Sequence, residues 1–477
     1  MSFAQAEFLL FLGLVVLVWP FLPARGRVPA MLLFSYAFYA AQRPEYLALL
    51  VLSTAIDYAV GLALGRTEAP TARKLLLATS LALNLGLLGV FKYAGFVAEN
   101  LGALSEAAGG GGVAFEGYAL PLGISFYTFQ TLSYTLDVYA RRIAPCRSPL
   151  DYALYVSFFP QLVAGPIERA RHLLPQLESM PTLRLADASV GVRLIVWGLL
   201  KKWVVADALL LETRPVFLRP ELASPPTLIV AALAMAIYLY CDFSAYTDIA
   251  RGSARLFGVQ LVKNFDRTFL STSLHEWARR WHMSLIGWMY DYVWAPLAGS
   301  LPGYLALWRA NLVVMALFGL WHGASWTFVL WGASYGVLIS IEQSWRLWNL
   351  RRGRRPAPPR TRLGGALAGS LRWLATVVIA SQLMMLFFSP DLEFAQRYLK
   401  AELALHWPTG EELRWLLAMV ATLLALLVGH AANDLVDLER RWGRLPRVVK
   451  ALVLALALGI AFRFRAPLDA PFVYFAF

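Results

Sequence analysis

One of the chain's six histidines, His322, stands in the stretch NLVVMALFGLWHGASWTFVLWG, with no charged residue from Asn311 to Ser340. An ionisable side chain in so apolar a segment is costly, and such residues are functional candidates by default. An imidazole with an ordinary pKa of about 6.5 takes a proton from a hydroxyl at cellular pH, which makes His322 a candidate general base. Trp321, Trp326 and Trp331 surround it in sequence, and Gly319 and Gly323 let another backbone approach closely. The alternative is a packing histidine, hydrogen-bonded across a helix interface. No serine or cysteine stands in a nucleophile-elbow context, which disfavours a serine-hydrolase mechanism.

A second candidate is His282, in HEWARRWHMSLIGW. It either lies in an interfacial segment with Trp277, Trp281 and Trp288 as an aromatic belt, or sits at the cytoplasmic mouth of a cavity. In the latter case Arg279, Arg280, Lys263 and Arg267 are placed to hold phosphates, since the planar guanidinium offers paired donors to phosphate oxygens. Asp242 and Asp248, in YLYCDFSAYTDIA, are the other charges at membrane depth, and Asp242 is expected to face the bundle interior. Asp137 is expected to pair with Arg141 at i+4. His172, His275, His406 and His430 read as solvated or interfacial side chains. Trp321, Trp326, Asp242 and Asn311 complete the candidate substrate-binding set. Two cysteines, Cys146 and Cys241, give neither a disulfide framework nor a metal pattern, so no metal or permanently bound cofactor is expected.

The elements that must carry these residues follow from composition. Of 477 residues 59% are apolar and only 15% charged, against about 25% in soluble domains. Three soluble domains, or a disordered chain, cannot be built from those proportions. An all-α polytopic membrane protein is expected, with apolar stretches near 5–22, 28–42, 45–64, 74–91, 118–139, 186–211, 226–247, 309–341, 366–388, 413–431 and 449–463. Two shorter stretches, 152–167 and 284–298, read as re-entrant or broken, giving about eleven to thirteen membrane segments. The first stretch lacks a basic region before it and is followed by Arg25 and Arg27, so it reads as an uncleaved anchor.

The net charge of +13 is spread over short clusters between apolar runs, which excludes the single basic stripe of a nucleic-acid binder. The clusters place the N-terminus outside and the Arg-rich loops in the cytoplasm, provided 152–167 dips in and returns while 284–298 crosses. The stretch 351–362, RRGRRPAPPRTR, reads as an orientation signal in contact with anionic lipid. There is no clear internal repeat, which weakens a transporter of duplicated halves.

Several blocks together resemble the membrane-bound O-acyltransferase family, in its bacterial alginate-O-acetylation branch. They are FKYAGF at 91–96, PLGISFYTFQTLSYTLDVY at 121–139, FFPQLVAGPIER at 158–169 and YCDFSAYTDIA at 240–250. NFDRTFLSTSLHEWARRWHMSL at 264–285, GLWHGASWTFVLWG at 319–332 and PFVYFAF at 471–477 follow in order. The resemblance implies membrane helices around a central funnel or tunnel, with N-terminal helices at 1–90, a catalytic core at 91–345, a basic cytoplasmic loop at 346–365 and C-terminal helices at 366–477. It puts the family's near-invariant histidine on His322 and its second motif histidine on His282. It implies acetyl transfer from cytoplasmic acetyl-CoA, through the bacterial inner membrane, to a periplasmic SGNH-type acetyltransferase that modifies an exopolysaccharide. Tyr335 stands where relatives commonly have histidine. A D-alanyl transferase using an acylated carrier protein, or a transporter of polysaccharide or lipid-linked precursors, are the competing readings.

Overall fold

The computed structural model describes residues 3–475 apart from 42, 113, 114, 116, 164, 300–302, 354–361, 437, 468 and 469. Among the described residues there are helices and turns and no β-strand. A chain in lipid must satisfy its backbone hydrogen bonds internally, which helices do. Among the described residues, six helices are long and apolar enough to cross a membrane: Pro44–Arg66, Pro70–Ala107, Pro225–Leu256, Gly303–His322, Gly364–Phe388 and Gly410–Ala432. This is a multi-pass membrane protein.

Other expected spans form shorter helices, among them Arg27–Ala40, Ile124–Tyr139 and Arg447–Arg463. The helix expected from 118 starts only at Ile124 because Gly123 adopts φ +74° against the Leu162 carbonyl, 2.7 Å from where a Cβ would lie. The 152–167 stretch is interrupted at Phe158, between Pro149–Ser157 and Phe159–Leu162, and its residue 164 lies outside the described residues. The 284–298 stretch, by contrast, is helical from Met283 to Ala298 through a π-helical segment at Tyr290–Trp294. Most of the Arg-rich run 351–362 lies outside the described residues.

The chain forms two compact units. The first comprises Met1–Gly198 and Tyr246–Val262. Within it Asp57, buried midway along Leu47–Arg66, accepts hydrogen bonds from Ser80 (2.5 Å), Asn84 (2.8 Å) and Thr135 (3.3 Å). A carboxyl group in an apolar bundle is tolerated when its oxygens are matched in this way. Arg73 donates to the carbonyls of Leu64, Thr67, Val138 and Tyr139 and so ties the ends of two helices together. Asp137 pairs with Arg142 at 3.2 Å and not with Arg141, because Arg141 turns the chain at φ +58° and its guanidinium meets Glu68.

The second unit comprises Leu199–Ala245 and Lys263–Phe477. Here the single stretch expected at 309–341 is two helices, Gly303–His322 and Trp326–Arg351. Gly323 ends the first helix, and the Ser325 hydroxyl caps the second by accepting the Thr327 N–H at 3.3 Å. The pair is antiparallel: Trp308 donates to Ser344 (3.0 Å) and Asn311 to Ser340 (3.1 Å). Its seam is lined by the glycine pairs 319/323 and 332/336, the small-xxx-small spacing of close membrane helices. A Cβ on Gly332 would overlap the Met315 carbonyl oxygen, and one on Gly319 the Phe328 carbonyl oxygen. Gly332→Leu is therefore expected to cost more than the ~1–3 kcal/mol of ordinary overpacking, since it must separate two backbones. Size-exclusion and thermal unfolding in detergent check this; a wild-type melting profile would contradict the packing described.

Candidate active site

His322 is the last residue of its helix and is 1% exposed. Ring centroids of Phe318 (4.8 Å), Trp321 (5.0 Å), Trp331 (5.2 Å), Tyr474 (5.3 Å) and Phe387 (5.4 Å) enclose its imidazole. The hairpin break at Gly323 leaves this side chain at a helix end, where Trp331, Tyr474 and Phe387 from other elements join Phe318 and Trp321 of its own helix.

His282 approaches from a different element. It joins the helices Leu274–Arg280 and Met283–Met289 at φ +46°, the left-handed region that few non-glycine residues occupy. Such strain persists only where surrounding structure overdetermines it. The segment 264–268 supplies that constraint. Asn264 accepts the Met283 N–H on its carbonyl (2.9 Å), and its Oδ1 accepts from the Ser284 N–H (3.3 Å) and hydroxyl (2.6 Å). The Arg280 carbonyl accepts from the Asp266 N–H (3.2 Å) and the Thr268 hydroxyl (2.8 Å). Clamped on both sides, the His282 ring stands edge-on to Phe243 at 4.7 Å and 6.2 Å from the ring of His322.

Both ring nitrogens of His282 are buried and lack a hydrogen-bond partner among the described residues. Burial pushes its imidazole down to about 3, so the ring is neutral at cellular pH. Buried polar groups are ordinarily hydrogen-bonded, so this ring is a candidate for chemistry. Beside the pair lies a cavity of about 20 Å³, lined in part by Trp281, Phe318, Trp331 and Tyr335. Both imidazoles are buried, so the site as described is closed around the two rings.

The structure gathers part of the expected set. Trp321 contacts both histidines, at 5.5 Å from His282. Trp326 instead opens its helix with 49% of its surface exposed, and Trp331 and Phe387 lie against His322. Trp277, Trp281 and Trp288 are buried core residues, not an interfacial belt. Lys263, Arg267 and Arg279 are exposed. Arg280 pairs with Glu276 (2.7 Å) and donates to the Arg267 carbonyl (3.1 Å), bracing the turn. Arg279 and Arg280 lie within about 11 Å of His282 by chain connectivity alone.

Asn311 sits about 16 Å before His322 along the helix. It joins a different chain of hydrogen bonds, with Trp294 (2.8 Å), Ser340 (3.1 Å) and Gln343 (2.9 Å), that continues to His275 (2.9 Å). Asp242 is fully buried in an ion pair with Lys202, while Asp248 pairs with Arg251 at 3.4 Å. Of the histidines expected to be solvated or interfacial, His172 bonds buried Glu168 at 2.7 Å, His275 bonds Gln343, and His430 packs on Tyr240 at 5.5 Å. His406 is exposed. Tyr335 donates to the Ala380 carbonyl at 3.1 Å. Asn264 and Tyr474 enter the site without having been singled out. Asn264 lies in one quoted motif and Tyr474 in another, and the only sequence signal was membership of those blocks.

Residues 52–388 match the membrane-bound O-acyltransferase family. The chain is 32% identical to a probable alginate O-acetylase of Pseudomonas putida over the whole length of both. It is 34% identical to a probable alginate O-acetylase of Azotobacter vinelandii, over 83% of this chain and 77% of that one. The peptidoglycan O-acetyltransferase of Helicobacter pylori is 30% identical, over 79% of this chain and 73% of its own. With a matched region that contains both buried histidines, the chain belongs to the membrane-bound O-acyltransferase family and is a membrane O-acyltransferase.

Proposed function

We propose that this enzyme moves an acetyl group from cytoplasmic acetyl-CoA across the bacterial inner membrane for O-acetylation of an exopolysaccharide such as alginate. A periplasmic SGNH-type acetyltransferase completes the transfer, and the chain's N-terminus lies on the periplasmic side. The alginate O-acetylases among its relatives support the acceptor class. The observation that carries the chemistry is the pair of buried imidazoles with centroids 6.2 Å apart.

In this reading the acceptor hydroxyl attacks the thioester carbonyl carbon while His322 takes its proton. The C–S bond then breaks, and His322 returns the proton to the departing thiolate. His282 plays a different part. A conjugate acid with a pKa of about 3 makes it a weak base but leaves it a neutral N–H donor, suited to the carbonyl oxygen as negative charge develops there. The apolar walls strengthen that interaction by excluding water. Exposed Lys263, Arg267 and Arg279 offer the donor's phosphates a basic rim near His282. Entry of either substrate requires the enclosing aromatic side chains to move, since both imidazoles are buried.

Purified protein in liposomes with radiolabelled acetyl-CoA tests the assignment. His322→Ala is expected to lose about 10²–10⁴-fold in transfer while keeping its wild-type elution profile; a folded variant transferring at the wild-type rate sinks the base assignment. Label that moves only with an acylated carrier protein would transfer the donor class to the D-alanyl type. Arg279→Ala, at an exposed site, should raise the donor KM about five-fold with little loss at saturation, and an unchanged KM contradicts the phosphate role. Asn264→Ala releases the His282 turn and is expected to lower turnover about 100-fold, because small misplacements at a reacting centre are costly. Full turnover in that variant would show that the turn holds without the amide.

A further inference from the structure

One buried charge cluster in the second unit has no part in the chemistry just described. Lys202 belongs to the π-helical segment Lys201–Ala206 and is 3% exposed. Its ammonium meets three oxygens: Asp207 Oδ1 at 2.7 Å, Asp242 Oδ1 at 2.9 Å and the Ala470 carbonyl at 2.9 Å. The contacts to Asp207 and Ala470 are hydrogen bonds, and the contact to Asp242 is an ion pair. The other oxygen of Asp242 accepts the Val473 N–H at 2.9 Å. Close by, the Trp203 carbonyl accepts the Ala466 N–H at 3.0 Å.

Two features of this cluster need a cause. First, one cation and two carboxylates are buried together, although an ion pair in the interior is often no more stable than apolar packing of the same volume. Second, Lys202 and Asp242 each also hydrogen-bond the backbone of one segment, 470–473. That segment has little structure of its own, ending in a single 3₁₀ turn at Val473–Phe475, too short to hold itself. What the charges add is a fixed place for this backbone.

The next residue shows why place matters. Tyr474 follows the anchored Val473 directly, and its ring lies 4.5 Å from Phe243, 5.3 Å from His322 and 6.2 Å from His282. Phe472, on the other side of Val473, is fully buried and packs on Phe243 at 5.8 Å. Asp242 itself is spoken for by Lys202 and Val473, so it does not orient either imidazole by a direct hydrogen bond among the described residues. It acts one step removed.

We infer that Asp242 and Lys202 are positioning residues: they seat the segment 470–475 so that Tyr474 packs against both histidines and holds the two rings in register. The inference rests on the histidine pair being the catalytic centre. It differs from a substrate-binding role for Asp242, which would make the donor KM respond.

The test uses full-length Asp242→Ala and Asp242→Asn, read by amide hydrogen exchange and by transfer kinetics. In Asp242→Ala, peptides covering 470–475 should exchange at least ten-fold faster, while peptides from Gly303–His322 keep wild-type protection. Turnover at saturating donor should fall about 100-fold with the donor KM within about two-fold of wild type. Asp242→Asn keeps an acceptor for Val473 but loses the charge facing Lys202, so it should fall between wild type and Ala in both readouts; it also serves if Asp242→Ala does not fold. Unchanged exchange over 470–475 in whichever variant folds overturns the anchoring. Faster exchange with undiminished turnover overturns the positioning role. A raised KM with constant turnover returns Asp242 to substrate binding. The exchange readout does not depend on transfer, so it stands even if His322 proves not to be the base.

Discussion

At Gly319 and Gly332 two antiparallel helices approach until backbone meets backbone, with no side chain between them. The contact decides where everything near His322 lies. It needs glycine on both helices, it sets the two chains antiparallel, and it requires the sharp reversal at Gly323–Ser325. Because the reversal follows His322 at once, the imidazole ends a helix and is not buried in a helix wall. The rings of Phe318, Trp331 and Phe387 then fill the space around it. In lipid there is little hydrophobic gain from joining helices, so such close packing is the main source of association. The site's geometry and the hairpin's stability share one cause.

Around that frame, polar groups are handled in two distinct ways. Asp57, Arg73 and the Lys202–Asp207–Asp242 cluster are matched to partners, and their effect is to fix backbones. His282 is treated differently. Its backbone is held in a strained conformation by Asn264 and the Arg280 carbonyl, while its ring nitrogens are left without partners among the described residues. Energy is spent to place the ring, and none is recovered by bonding it. A strained backbone joined to an unbonded ring is what the proposed role of His282 requires.

The sequence made His322 and His282 legible because an ionisable residue in an apolar or aromatic run is conspicuous whatever its neighbours do. The all-helical membrane architecture was legible for the same reason, from the shortage of charge. Tertiary facts were less so. The stretch 309–341 reads as one span by hydropathy alone, although Gly323 followed by Ser325 carries the stop and the cap that divide it. Trp326 is nearer His322 in sequence than Trp331, yet a new helix starts at Trp326 and leaves that ring exposed while Trp331 turns inward. Asn311 shares the His322 helix but lies three turns away, in a separate hydrogen-bond chain. Asp242 and Tyr474 are joined by contacts across more than two hundred residues, which periodicity does not register. Asn264 looks like any loop amide until the turn it clamps is seen.

The proposed chemistry requires the acyl group to lie between the two imidazoles. A cryo-electron microscopy structure with a non-hydrolysable acetyl-CoA analogue addresses this directly. The expected map places the acyl carbonyl within hydrogen-bond reach of His282 and the adjoining carbon beside His322, with the enclosing aromatic rings displaced. An analogue bound elsewhere, with the two rings still sealed as they are here, would contradict it.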